Sequence, residues 1–220
     1  MYFRFFVEDI SGKRMLERLV PKIIGDGHQI DIFGYRGLDR LPDNLDKVPD
    51  PQNRTLMGNL PRILRGGGKE LAGMPAGTAY LVIVCDLDDN CLKEFRGKLF
   101  SLLSNINPAP PTLFFFAIEE GEAWLLGDIK AVSQAYPKAK REILRNYVSD
   151  SICGSWEKLA DAVYPGGVRE LKNYPYSLIG RVKCEWAEKV AELMEPDNNK
   201  SPSFRYFRDK LRALCSEPTG

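Results

Sequence analysis

Residues 79–90 read AYLVIVCDLDDN, and this stretch decides the fold class. Its first half is an almost continuous apolar run rich in β-branched side chains, which predicts a strand covered on both faces of a parallel sheet. Its second half places Asp86 and Asp88 directly after that strand. Ligands of open parallel sheets bind outside the carboxyl ends of the strands, so these two carboxylates are candidate site residues.

Three other apolar runs, at residues 2–7, 29–35 and 112–118, predict further strands around the one at 79–85. Helical patterns alternate with them, which predicts an α/β fold with a parallel sheet and helices on both faces. We expect an α/β domain over residues 1–125 with a long Pro- and Gly-rich excursion at 37–77, where only residues 54–64 have a helical pattern. Helical patterns dominate residues 126–220, which predicts a C-terminal helical region packed on the sheet domain.

The composition is that of a soluble globular protein and excludes several kinds of chemistry. The chain has 220 residues, a net charge of +1 and 44% hydrophobic residues. No apolar run approaches the roughly 20 residues of a spanning helix, and the acidic amino terminus does not match a signal peptide, so we expect no membrane partner and a cytoplasmic location. Five cysteines without a CxxC motif and a single histidine, His28, argue against a disulfide framework or a zinc site.

Carboxylates follow three of the four predicted strands. Glu8 follows the first, Asp86 and Asp88 follow the third, and Glu120 and Glu122 follow the fourth. Each acid by itself could be a helix cap or turn residue. Together at one sheet edge they would repel one another unless a cation or a proton intervenes, and an all-oxygen ligand set suits Mg²⁺ or Mn²⁺.

Four segments of the chain resemble a known family. They are FFVEDISGKRMLERLVPKII (5–24), LVIVCDLDDN (81–90), FFFAIEEGEAWLLGD (114–128) and SPSFRYFRDKL (201–211). They resemble the Toprim-like family of uncharacterised domains numbered 4276, which is often associated with phage-defence ATPases and is related to the nucleases of the overcoming-lysogenisation-defect group. The chain departs from the pattern at Asp9, where many Toprim domains have glycine.

The resemblance implies a role for each matching acid. Glu8 corresponds to the Toprim glutamate, a metal ligand or acid-base group, and Asp86 and Asp88 correspond to the metal-binding DxD. Glu120 and Glu122 match the acids of an E-x-E-A-W motif and are further candidate metal ligands. The implied function is Mg²⁺-dependent phosphodiester cleavage of DNA or RNA, with Glu8, Asp86 and Asp88 as catalytic residues and a separate ATPase as a possible partner.

Basic side chains are needed to meet the phosphates of such a substrate. The candidates for nucleic-acid binding are Arg65 and Lys69 in the excursion and Arg181 and Lys183 in the helical region, with Lys183 the strongest because RVKCEWAEKVAELM also resembles a family segment. The three tryptophans, Trp124, Trp156 and Trp186, lie in helical patterns and are expected in the core.

Two alternatives remain open from the sequence. One is a non-catalytic module that binds nucleic acid or an ATPase through the same fold. The other is a phosphatase with an aspartyl nucleophile, since VIVCDLDDN is an apolar strand ending in DxD. That class has its nucleophile after the first strand of its domain rather than the third, which makes it the weaker alternative. The oligomeric state is also left open.

Overall fold

A computed structural model describes residues 1–42, 54–151 and 154–216. Four parallel strands form the sheet: β1 (Tyr2–Val7), β2 (Gln29–Gly34), β3 (Ala79–Asp86) and β4 (Thr112–Ala117). Their order is β2-β1-β3-β4, with Val7 beside both Gly34 and Val84. The predicted α/β fold with a parallel sheet is confirmed, and each strand lies within one residue of its predicted limits.

Ten α-helices are present in the described residues. They are α1 (Ile10–Ile24), α2 (Leu56–Leu71), α3 (Leu92–Ser104), α4 (Gly121–Leu126), α5 (Ile129–Ala135), α6 (Arg141–Arg145), α7 (Ser155–Val163), α8 (Gly167–Leu171), α9 (Tyr176–Leu193) and α10 (Pro202–Ser216). The described part of the chain contains no helix that is both long enough and apolar enough to cross a membrane.

Helices cover both faces of the sheet at β3, which explains the nearly continuous apolar run of that strand, whereas the edge strand β2 is partly exposed. On one face Phe3, Phe5 and Val84 pack in a core with α1 and the helices after β4, including Trp186 of α9 and Phe207 of α10. On the other face Leu81 and Ile83 pack against α2 and α3. The predicted C-terminal helical region therefore shares one hydrophobic core with the sheet.

Helix α2 is longer than predicted. The helical pattern ended at residue 64, but the helix continues through Gly66, Gly67 and Gly68 to Leu71. A Cβ atom on Gly67 would collide with the side chain of Leu81, and one on Gly68 would collide with the carbonyl oxygen of Pro108. The glycines thus allow a close approach of helix to sheet. Residues 43–53 of the predicted excursion lie outside the described part of the chain.

Candidate metal centre

The acidic site lies at the carboxyl ends of the two central strands. Glu8 follows β1, and Asp86 is the last residue of β3. Helix α1, which leads from β1 to β2, and helix α3, which leads from β3 to β4, pack on opposite faces of the sheet. Because β2 and β4 lie on opposite sides of the central pair, the chain leaves β1 and β3 in opposite directions, which makes this position the switch point where open α/β sheets bind ligands.

Glu8 and Asp86 are directly linked. The backbone N–H of Asp86 donates a hydrogen bond of 2.9 Å to Oε2 of Glu8. Burial raises the pKa of Glu8 to about 7, and the charges of Asp88 and Asp9 add to this effect, whereas the hydrogen bond opposes it. Glu8 is therefore partly protonated near neutral pH, and it can accept or release a proton there.

Asp86 is held in the most negative environment of the site. Burial raises its pKa well above the usual range, and the neighbouring charges of Glu8, Asp9 and Glu122 raise it further. A buried carboxyl among like charges is stable only when it is protonated or when a cation lies beside it. A metal ligand is one kind of residue for which such an environment is expected.

Glu122 joins the site from the first turn of α4, just after β4. Its side chain is only 4% exposed and lies 3.3 Å (Oε1 to Nζ) from Lys183 of α9. Burial raises the pKa of Glu122 to about 7, although the ammonium of Lys183 lowers it. Burial alone would lower the pKa of Lys183, but the carboxylates around it, Glu122 foremost, outweigh this effect and raise it, so Lys183 remains a cation.

A small cavity adjoins these carboxylates. Its volume is about 20 Å³, and Glu8, Asp9, Asp86 and Glu122 contribute to its walls together with apolar side chains such as that of Trp124, which form most of the surface. A cavity of this size has the volume of one water molecule or one small cation. Gly121 borders the cavity, and a Cβ atom at this position would lie 3.7 Å from Oδ1 of Asp86.

Asp88 and Glu120 lie at the margin of this site. The backbone N–H of Asp88 donates to the carbonyl oxygen of Glu119 over 2.9 Å, and Asp88 adopts a left-handed conformation with φ of 46°. Partial burial raises the pKa of Asp88, and the charges of Glu120 and Asp89 contribute. Oε2 of Glu120 accepts hydrogen bonds of 3.0 Å from the hydroxyl of Ser155 and the backbone N–H of Trp156 at the start of α7. Glu120 is therefore partly committed to positioning α7.

Asp9 has a clear structural role, which explains the departure from the Toprim pattern. It is the N-cap of α1, where Oδ1 accepts from the backbone N–H of Gly12 over 2.6 Å and Oδ2 accepts from the hydroxyl of Ser11 over 2.5 Å. An aspartate at this position satisfies an otherwise unpaired N–H of the first helical turn. It also adds one charge beside Asp86.

The structure separates the predicted basic residues into two groups. Lys183 lies in the acidic site, and Arg181 lies beside it on α9. Arg65 and Lys69 lie in the second half of α2, where Gly67 approaches Leu81 near the start of β3. That half of the helix is directed toward the amino ends of the strands, so the structure does not bring Arg65 and Lys69 to the acidic site.

The motifs E-x-E-A-W and SPSF contact each other. The hydroxyl of Ser203 accepts a hydrogen bond of 2.9 Å from the indole N–H of Trp124, and its backbone N–H donates to Oδ2 of Asp150 over 2.7 Å. Ser201 also donates to Asp150, over 2.8 Å. These contacts tie the start of α10 to α4 and so help to position Glu122. The sequence patterns gave no indication of Asp150.

The donor set fits a hard cation, because every candidate ligand is a carboxylate. Within residues 1–42, 54–151 and 154–216, however, no three Asp, Glu, His or Cys side chains are already arranged to hold an ion. Two of the acids are directed elsewhere in this structure, since Glu122 pairs with Lys183 and Glu120 with the start of α7. Comparisons of the chain with family models, with curated proteins and with solved structures found no match.

Proposed function

We propose that the chain is a Toprim-type nuclease that cleaves phosphodiester bonds of DNA or RNA with the aid of Mg²⁺ or Mn²⁺. The observation that carries this proposal is that Glu8, Asp86 and Glu122, from three different strand ends, line one small cavity at the carboxyl edge of the sheet. Lys183 is the one positive charge that this part of the described chain supplies to them. The family resemblance supports the same proposal.

The residues of the site have distinct roles in this proposal. Asp86 and Asp88 would hold the ion, and Glu8 would complete its ligand set or take the proton of the attacking water, for which a pKa of about 7 is suitable. Glu122, with Glu120 behind it, would support a second ion, and its ion pair positions Lys183. The ion supplies activation of water and stabilisation of charge on the phosphate oxygens.

A nuclease assay tests the proposal. Supercoiled plasmid and total transfer RNA would be incubated with Mg²⁺ or Mn²⁺ and with wild type, Glu8→Gln or Asp86→Asn. These isosteric variants remove a charge with little change of volume, so we expect folded proteins whose cleavage rate falls by about a hundredfold or more.

The matched control is Asp26→Asn, an exposed aspartate between α1 and β2 at the opposite edge of the sheet. It should cleave at the wild-type rate, and chelation of the divalent ion should abolish cleavage by every form. Cleavage that persists in both Glu8→Gln and Asp86→Asn, or in excess chelator, would contradict the proposal.

A non-catalytic binding module is the second candidate, and one observation favours it. Lys183 already neutralises part of the charge of Glu122 without a metal ion. If the chain is such a module, the wild type and the variants would bind nucleic acid, and none of them would cleave it. A phosphatase would instead form an acid-stable, alkali-labile phosphoryl group on Asp86.

The proposal also includes a biological role, a partner and a cellular location for the activity. The resemblance supports a role in phage defence together with a separate ATPase, which would supply any nucleotide hydrolysis. A cytoplasmic location is supported by the cysteines of the described residues, all of which are free thiols.

A further inference from the structure

We infer that the substrate strand enters the site single-stranded, through a groove formed by α9, the start of α7 and the segment after β2. This inference rests on the proposed function. The groove has a volume of about 1170 Å³, more than a drug-sized ligand requires, and it is open to solvent. Asp9 and Ser11 line both this groove and the small cavity beside the acids, so the groove adjoins the candidate metal centre.

The groove contains cations that have no partner in the described part of the chain. Arg36, which follows β2, and Arg181 of α9 line it from two different elements, and neither guanidinium makes an ion pair or side-chain hydrogen bond with the described residues. Lys183 lies at its inner end. The acids Glu185 and Glu188 also line the groove, but Glu185 pairs with Lys189 and Glu188 with Arg14. Asp9 is a third acid of the groove, and Lys183 is paired with Glu122, so Arg36 and Arg181 are the charges left available for phosphate groups.

Aromatic rings are interleaved with these cations. Tyr176 begins α9 and is 92% exposed, although a tyrosine buries a large apolar surface when it finds a partner. Trp156 packs against the core but is only half-buried and also lines the groove, with the ammonium of Lys172 5.3 Å and that of Lys183 6.0 Å from its ring centroid. Tyr35 lines the groove on the opposite side.

This combination favours a single strand over a duplex. A groove that offers both exposed rings and unpaired cations suits single-stranded nucleic acid because unpaired bases can stack on the rings while the phosphates meet the cations. In a duplex the base faces are covered by their neighbours, so Tyr176 would gain no stacking partner. Stacking tolerates any base, so the groove is expected to bind without strong sequence preference.

Binding without cleavage tests the inference. Full-length protein carrying Asp86→Asn would be titrated, in chelator, into labelled single strands of DNA and RNA of about 20 nucleotides and into the corresponding duplexes, with fluorescence anisotropy as the signal. We expect the single strands to bind at least about tenfold more tightly than the duplexes. Adding Tyr176→Ala should weaken single-strand binding by about fivefold or more, because one stacked base is lost.

Salt dependence identifies the phosphate contact. Adding Arg181→Ala should reduce the slope of log K against log salt by about 0.7, the value for one lost phosphate contact on a single strand. Lys69→Ala, at the far edge of the sheet, and Tyr206→Ala, an exposed tyrosine of α10, are the matched controls and should bind like the parent.

Three results would overturn the inference: equal affinity for duplex and single strand, groove variants that bind like their controls, or no binding by any form at micromolar protein. Its failure can be distinguished from that of the proposed function. Single-strand binding that depends on Tyr176 and Arg181 without any cleavage by wild type would sustain the inference and reject the nuclease. Metal-dependent cleavage that is unaffected by Tyr176→Ala and Arg181→Ala would support the nuclease and reject the inference about the groove.

Discussion

Lys183 is the residue on which the balance of charge in the acidic site depends. Its ammonium faces Glu122 at 3.3 Å, and the charges of Asp9, Asp86 and Glu120 also act on it. One cation cannot neutralise several carboxylates, so the remaining negative charge must be balanced by protons on Glu8, Asp86 and Glu122 or by a metal ion. Lys183 thus reduces the charge repulsion within the acidic site but does not cancel its negative charge.

Replacement of Lys183 by methionine should destabilise the protein in a pH-dependent manner. The change leaves Glu122 buried without its cation, which costs about 3 kcal/mol when the carboxyl is ionised. At pH values well below 7 the carboxyl takes up a proton and the cost becomes smaller. Chemical denaturation of Lys183→Met and wild type in chelator, at about pH 8 and about pH 5.5, measures the difference.

Lys189→Met is the control for this substitution, because Lys189 lies on the same helix and pairs with Glu185 on the exposed surface. Its free energy of unfolding should change by less than about 0.5 kcal/mol. A Lys183→Met protein as stable as wild type at the higher pH would show that the ion pair does not hold the site together.

Helix α2 illustrates, at the scale of an element, how packing overrides intrinsic preference. Three consecutive glycines weaken a helix, since glycine is less favourable than alanine by about 1 kcal/mol per residue. The helix nevertheless continues through them because Gly67 and Gly68 allow it to approach Leu81 and Pro108 without collision. The apolar side of α2 then covers the sheet down to Leu71.

Two alanine substitutions in this helix should have opposite effects. At Gly68 the new methyl group meets the carbonyl oxygen of Pro108, so Gly68→Ala should destabilise the protein by about 2 kcal/mol or more in spite of the better helix former. At Gly66 no atom lies within 4 Å of the new methyl group, so Gly66→Ala should stabilise the protein by about 0.5–1 kcal/mol. Thermal unfolding of both variants checks this, and a stabilising Gly68→Ala would refute the packing explanation.

The sequence was sufficient to predict the strands but not all of the contacts between elements. The runs at residues 79–85 and 112–118 are apolar on both faces, a local property that identifies strands of a parallel sheet covered on both faces, but it does not distinguish the central strand β3 from β4, which lies at an edge of the sheet. The continuation of α2 through Gly66–Gly68 was missed because it depends on Leu81 and Pro108, which are remote in the chain.

For the site, the grouping of the acids at one sheet edge could be predicted from the sequence, but their contacts could not. Glu8, Asp86 and Glu122 were expected together because strand ends meet at one edge of the sheet, and the structure places them there. The hydrogen bonds of Glu120 to the start of α7, and the distance of Lys69 from the site, follow from tertiary packing that no local pattern reveals.

The stability of the whole molecule should depend on pH and on divalent ions together. Glu8 and Glu122 have pKa values raised from 4.5 to about 7 in the folded chain. A raised carboxyl pKa means that the folded state binds more protons than the unfolded state, so this stabilisation is full below about pH 4.5 and is lost as the pH rises through about 7. For the buried Glu122 it amounts to at most about 3 kcal/mol.

In chelator, the Tm should therefore be higher at about pH 5.5 than at about pH 8. The difference should be about 2–4 °C for each kcal/mol of change in the free energy of unfolding. Excess Mg²⁺ should raise the Tm more at the higher pH, because the ion binds the deprotonated carboxylates and competes with protons. Glu122→Gln, which resembles the protonated side chain, should show a smaller pH effect. A Tm increment from Mg²⁺ that is equal at both pH values would argue against a metal site here.

Glu122 and Lys183 are brought together from positions far apart in the chain, with α5 to α8 between them. During synthesis the ribosome releases Glu8, Asp86 and Glu122 well before α9. A growing chain therefore contains the three acids before it contains Lys183, whose charge offsets theirs, and before α9 supplies the groove wall that carries Arg181. The charges of the acidic site can therefore be partly balanced by Lys183 only after α9 has left the ribosome.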